Sequence, residues 1–89
     1  MKHLNIIVRG YVQGVGFRHS ASREANKLGI TGFVKNQPDG TVYIEAEGTD
    51  QQLHNFTTWC ESGFTGSRIE RVIVMEGMIC NFTKFEVRI

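Results

Sequence analysis

A surplus of charge of one sign is what this sequence most plainly lacks. Its 89 residues carry ten basic and nine acidic side chains, a formal net charge of +1. Domains that bind nucleic acid usually show a marked basic excess, so this balance favours a small ligand over a polyanion. Cysteine is scarce as well. Cys60 and Cys80 have no CxxC spacing, so a metal site is not indicated and two reduced thiols are expected. No apolar run approaches the roughly 18 residues needed to cross a bilayer. The opening stretch MKHLNIIVRG has no small-residue cleavage site of the signal-peptide kind. A cytoplasmic chain with no membrane partner is the expectation. Linkers, repeats and low-complexity segments are also missing, which predicts one domain over residues 1–89, with a monomer as the default.

Two familiar phosphate-binding signatures are absent too. GxxxxGK[ST] is excluded because no Gly-Lys pair occurs. The dinucleotide fingerprint GxGxxG fails at its third glycine, where His19 stands.

What is present reads as alternating elements. Leu4, Ile6 and Val8 alternate with Asn5, Ile7 and Arg9, as in a half-buried strand over 4–9. From about residue 19, Ala21, Ala25 and Leu28 fall on one helical stripe that Gly29 ends. The segment TGFVKNQPDGTVYIEAEG predicts a hairpin, with turn chemistry in PDG and a wet face carrying Tyr43, Glu45 and Glu47. A second helix is expected from Asp50, its apolar stripe being Leu53, Phe56 and Cys60, widened by Trp59, with Asp50 as its cap and Gly63 as its stop. GFTGS reads as a loop, followed by strands at about 69–76 and 84–89 with a turn near Gly77. The order is βαββαβ plus a C-terminal strand. Such an order predicts an α+β, ferredoxin-like (split βαβ) sandwich, an antiparallel sheet with two helices on one face. In that arrangement Cys60 and Cys80 lie at opposite ends of the sheet, too far apart to bridge.

Residues 10–19 read GYVQGVGFRH, with three glycines at a strand-to-helix junction. Glycine permits positive φ, and inward-turned amides at a helix start form a concave anion site. Gly14, Val15, Gly16, Phe17 and Arg18 are the candidate phosphate-binding residues, with the Arg18 guanidinium matching two phosphate oxygens at once. A glycine-rich turn with an incidental arginine accounts for the composition equally well. Asn36, ahead of the Gln37-Pro38-Asp39-Gly40 turn, is either a turn residue or an amide that holds a water through its donor and its acceptor.

Together these stretches resemble the acylphosphatase family, whose pattern is close to V-x-G-x-V-Q-G-V-x-F-R, then L-G, G-[WF]-V-x-N and D-G-x-V. The matching stretches are VRGYVQGVGFR, EANKLG, TGFVKN and DGTV, followed by EAEG, over residues 8–48. The resemblance implies a ferredoxin-like fold and hydrolysis of the carboxyl-phosphate bond of small acyl phosphates, without metal or organic cofactor. It implies that Arg18 binds the phosphate and Asn36 orients the water, the two catalytic residues. Two departures stand out. Phe33 occupies a position where the family usually has Trp. Ala21 stands where many members carry a threonine that supports the asparagine, leaving Ser20 or Ser22 as substitutes.

Other polar residues attract plainer readings. His3, His19 and His54 are scattered without metal-ligand spacing, and His19 reads as an exposed helix residue. Glu45 and Glu47 read as solvated strand positions. Two further function classes stay open on sequence: a non-catalytic module holding phosphate or carboxylate in the same loop, and an RNA-binding module. The second is opposed by the absence of an RNP1-like stretch and by the low net charge.

Overall fold

The computed structural model describes residues 1–63 and 67–89. The middle of the expected GFTGS loop, residues 64–66, lies outside the described residues. The elements are β1 (Lys2–Tyr11), α1 (Phe17–Leu28), β2 (Thr31–Asn36), β3 (Val42–Gly48), α2 (Asp50–Ser62), β4 (Arg68–Gly77) and β5 (Phe85–Arg88). They follow the order expected from the sequence.

The strands form one sheet in the order β4-β1-β3-β2-β5. β3 pairs antiparallel with both β1 and β2, and β4 pairs antiparallel with β1. Two βαβ units are therefore each split by an intervening strand, which is the ferredoxin-like arrangement. One feature departs from the all-antiparallel expectation: β5 lies parallel to β2 at the sheet edge. The long connection from β4 carries the chain back past the sheet, so β5 enters from the same end as β2.

Alternation along the strands sends Ile6, Val8, Val34, Val42, Ile44 and Ala46 to one face, where they meet Ala21 and Ala25 of α1 and Leu53, Phe56 and Cys60 of α2. Both helices cover this face. Burying each Val, Ile, Leu or Phe side chain stabilises a fold by about 1.5–3 kcal/mol. Phe56 stacks on Trp59, and Trp59 tilts against Phe17 5.4 Å away, so the aromatic stripe of α2 grips the start of α1.

The two helix starts differ. Thr49, not Asp50, caps α2: its hydroxyl accepts from the Gln52 amide, and the Gln52 side chain accepts from the Thr49 amide, a complete capping box. α1 begins two residues earlier than its apolar periodicity indicates, because Gly16 at φ 85° turns the chain directly into the helix.

The second face of the sheet holds a correction. Glu45 is partly exposed, but Glu47 is only 1% exposed. The segment between β4 and β5 folds over this face, and the Cys80 and Phe82 amides donate to the Glu47 carboxylate. His3 Nδ1 lies 2.7 Å from Glu47 Oε2 on the other side. Alternation alone cannot reveal a loop that covers a strand. Burial opposes charge on Glu47, but these three donors outweigh it and hold its carboxyl below the ordinary range. Burial likewise opposes charge on His3, and its hydrogen bonds to Glu47 and Asn5, with the charges of Glu45 and Glu47, outweigh that and raise its pKa. Cys60 is buried and Cys80 exposed, and both are free thiols.

Candidate active site

The glycine loop leaves β1 through an irregular register at Arg9 and Gly10. A Cβ at Gly10 would stand 2.1 Å from the Arg68 carbonyl oxygen, so only glycine lets β4 approach here. Beyond Tyr11 the chain turns through residues 12–16 into α1. The first turn of α1 has no acidic side chain, and Gly16 supplies no side-chain cap. The positive end of this helix therefore faces the loop with no carboxylate of its own to neutralise it.

A cavity of about 110 Å3 opens at this point, lined by Val12, Gly14, Gly16, Phe17, Arg18, His19 and Asn36. That is room for several waters or one small anionic group. Five residues singled out from sequence meet in it: Gly14, Gly16, Phe17, Arg18 and Asn36. Val15 is not among the lining residues, and its side chain packs against the core. The Phe17 side chain is itself buried, so its contribution to a ligand is through its backbone. His19 is exposed, as its helical position implies, and borders the cavity beside Arg18.

Arg18 is oriented from the far edge of the sheet. Its Nη1 donates to the Arg88 carbonyl oxygen at 2.7 Å, so β5 anchors one arm of the fork. Asn36 ends β2 on the face that carries Val34, which turns its side chain toward α1. Its Oδ1 is buried and has no hydrogen-bond partner among the described residues. A buried amide oxygen left unpaired costs about 1–3 kcal/mol. Neither Ser20 nor Ser22 bonds this oxygen.

Gln13 is a residue that spacing did not single out. Its Nε2 donates to the Gln37 and Thr41 carbonyl oxygens, each at 2.8 Å. Those carbonyls flank the hairpin turn that follows Asn36. One carboxamide thus ties the glycine loop to the strand end that carries Asn36. The only sequence signal for it was its place inside the matched VQGVGFR stretch.

The acylphosphatase family model matches residues 4–87. An acylphosphatase of Methylococcus capsulatus is 41% identical over 88 residues, covering 98% of this chain and 96% of that protein. One from a Nocardioides species is 41% identical over 85 residues, covering 96% of this chain and 86% of that protein. The crystal structure of acylphosphatase from Bacillus subtilis superposes over the whole of both chains with a TM-score of 0.97 at 37% identity.

Proposed function

Given that the chain belongs to the acylphosphatase family and hydrolyses acyl phosphates, we propose that Arg18 and the 14–18 backbone hold the phosphoryl group while Asn36 places the attacking water. The observation that supports this assignment is that Arg18 and Asn36, from separate elements, line one cavity at the N-terminus of α1.

An acyl phosphate is a mixed anhydride whose carboxylate leaves readily, so little protonation of the leaving group is needed. Catalysis then rests on positioning and on stabilising charge at the phosphoryl oxygens. Arg18 takes two of those oxygens, with its free arm directed by the Arg88 carbonyl. The Asn36 carboxamide holds one hydrogen-bonded side of the water and directs its oxygen at phosphorus, in line with the acyl oxygen. The new P–O bond forms as the acyl O–P bond breaks. The water's second proton passes to a phosphoryl oxygen, and carboxylate and inorganic phosphate depart. This chemistry uses neither a metal nor an organic cofactor. The same reading takes residues 1–89 as one catalytic domain acting as a cytoplasmic monomer on small acyl phosphates, without nucleic-acid or membrane partners.

Phosphate release from benzoyl phosphate in EDTA tests the assignment, with circular dichroism confirming that each variant folds. Asn36→Ala is expected to lower kcat by roughly 100- to 1,000-fold, the usual effect of losing one such polar group. Competitive inhibition by inorganic phosphate should persist in that variant. Arg18→Ala should lose both turnover and phosphate inhibition. A folded Asn36→Ala enzyme with undiminished kcat would remove Asn36 from the mechanism.

A further inference from the structure

On the sheet face away from the helices, three donor side chains converge from three parts of the chain. His3 belongs to β1, Glu45 to β3, and Cys80 to the segment between β4 and β5. Their ligand atoms all lie within 4.8 Å of one another. We propose that this cluster is a binding site for a borderline divalent transition-metal ion of the Zn2+ class, separate from the catalytic cavity.

The donor set is the first support. Imidazole, carboxylate and thiolate are the three protein groups that zinc uses, and the three together favour it over magnesium or calcium. The spacing is the second. His3 Nε2 stands 3.4 Å from Glu45 Oε1. Two ligands each about 2.0–2.1 Å from a tetrahedral zinc ion are separated by about 3.3–3.4 Å, so this edge of the site is already formed. A thiolate and an imidazole on one tetrahedral zinc stand about 3.5 Å apart, so the Cys80 thiol closes the face with a shift of at most roughly 1.3 Å. The Cys80 amide is anchored on Glu47, while the thiol is exposed and makes a sulfur contact of 3.6 Å to the Met78 carbonyl.

The surroundings of the ligands are the third support. Histidines that bind metals usually donate their other ring N–H to a carboxylate, which fixes the tautomer and sharpens the ligand nitrogen. His3 Nδ1 meets buried Glu47 at 2.7 Å, which leaves Nε2 as the atom facing Glu45. Glu45 has its own outer partner: the Tyr43 hydroxyl donates to Oε2 at 2.7 Å, leaving Oε1 toward His3. Asn5 Oδ1, 2.9 Å from His3 Nε2, adds an oxygen beside the site. In the metal-free chain the proton on Nε2 answers these oxygens. When the ion binds, the Nε2 and Cys80 protons pass to solvent.

None of these side chains lines the catalytic cavity. His3 lies at the start of β1, whereas the glycine loop leaves its other end. Ion binding is therefore expected to pin the 78–84 segment and raise thermal stability, while hydrolysis in EDTA continues.

Cobalt reports the site directly. Co2+ added to the reduced full-length protein at about pH 7.5 should bind at one equivalent and give a thiolate-to-cobalt charge-transfer band that Zn2+ discharges. Cys80→Ser should abolish that band, since Cys60 is buried. His3→Gln and Glu45→Gln should weaken Zn2+ binding at least tenfold, read by competition with a chromophoric chelator. Glu45 and Cys80 are accessible enough that their variants test the site even if the His3 variant does not fold. No charge-transfer band, a band that survives Cys80→Ser, or Zn2+ affinity unchanged in the Glu45 and Cys80 variants would overturn the proposal.

Discussion

Among single residues, Gln13 yields the sharpest mechanistic expectation. Its two hydrogen bonds set the distance between the glycine loop and the strand end that carries Asn36. A displacement of about 1 Å between such groups can cost on the order of 100-fold in rate. Gln13→Glu keeps the shape but removes both donors, and should lower kcat roughly 10- to 100-fold with little change in KM. A purely structural role would lower the melting temperature and leave the kcat and KM of the folded enzyme alone. The matched motif contained this residue, yet its partners are carbonyls more than twenty residues away, and no local pattern encodes a bond to a distant backbone. Glu47 shows the same limit from the other side. Its alternation with Val42, Ile44 and Ala46 placed it correctly on the face opposite the helices, but its burial depends on the Cys80 and Phe82 amides supplied by a connection with no periodicity. The meeting of Arg18 and Asn36 in one cavity was legible because each sits beside a local punctuation mark, a glycine loop and a turn, that fixes its environment.

At the scale of elements, the β2–β3 turn shows how a short segment supports the site. Asp39 Oδ1 accepts from the Thr41 amide at 3.0 Å and from its hydroxyl at 2.6 Å, and the Gln37 amide closes the turn onto the Thr41 carbonyl. The hydrogen bonds from the Thr41 hydroxyl and amide hold the Asp39 carboxyl below its ordinary value of 3.8. A depressed carboxyl pKa contributes stability that is present above the unfolded value and lost as pH falls through the folded one. The turn is therefore expected to loosen below about pH 4. Exchange of the Thr41 amide, corrected for its intrinsic pH dependence, should lose protection over that range. Asp39→Asn, which keeps an acceptor without a titration, should flatten the profile, and a wild-type profile already flat down to the acid limit would contradict the account. PDG announced this turn in the sequence, and both helices were legible from their stripes. The direction of β5 was not. Phe85 and Val87 alternate with Glu86 equally well in a parallel or an antiparallel strand, and the choice is made by the path of the 78–84 connection. That choice matters, because it brings the Arg88 carbonyl to Arg18.

For the molecule as a whole, the open question with physical content is self-association. An open five-stranded sheet leaves two edges, and unpaired edges are templates for strand addition. Here β4, the longer edge strand, carries Arg68, Glu70, Arg71 and Glu76, and β5 carries Glu86 and Arg88. Charges of both signs along an edge oppose extension of the sheet by a second copy. Exposed apolar side chains on β4 do not form one surface either. Val74 pairs across from Ile6 on the helix-bearing face, whereas Met75 pairs across from Asn5 on the other. Near-zero net charge removes long-range repulsion, so resistance to self-association rests on the edges and on the division of apolar groups between faces. Sedimentation equilibrium of the reduced protein is expected to return the monomer mass over a hundredfold range of concentration. Rising mass with concentration that Met75→Lys suppresses would locate a dimer contact on the open face, and with it a face where the 78–84 segment meets another chain instead of solvent.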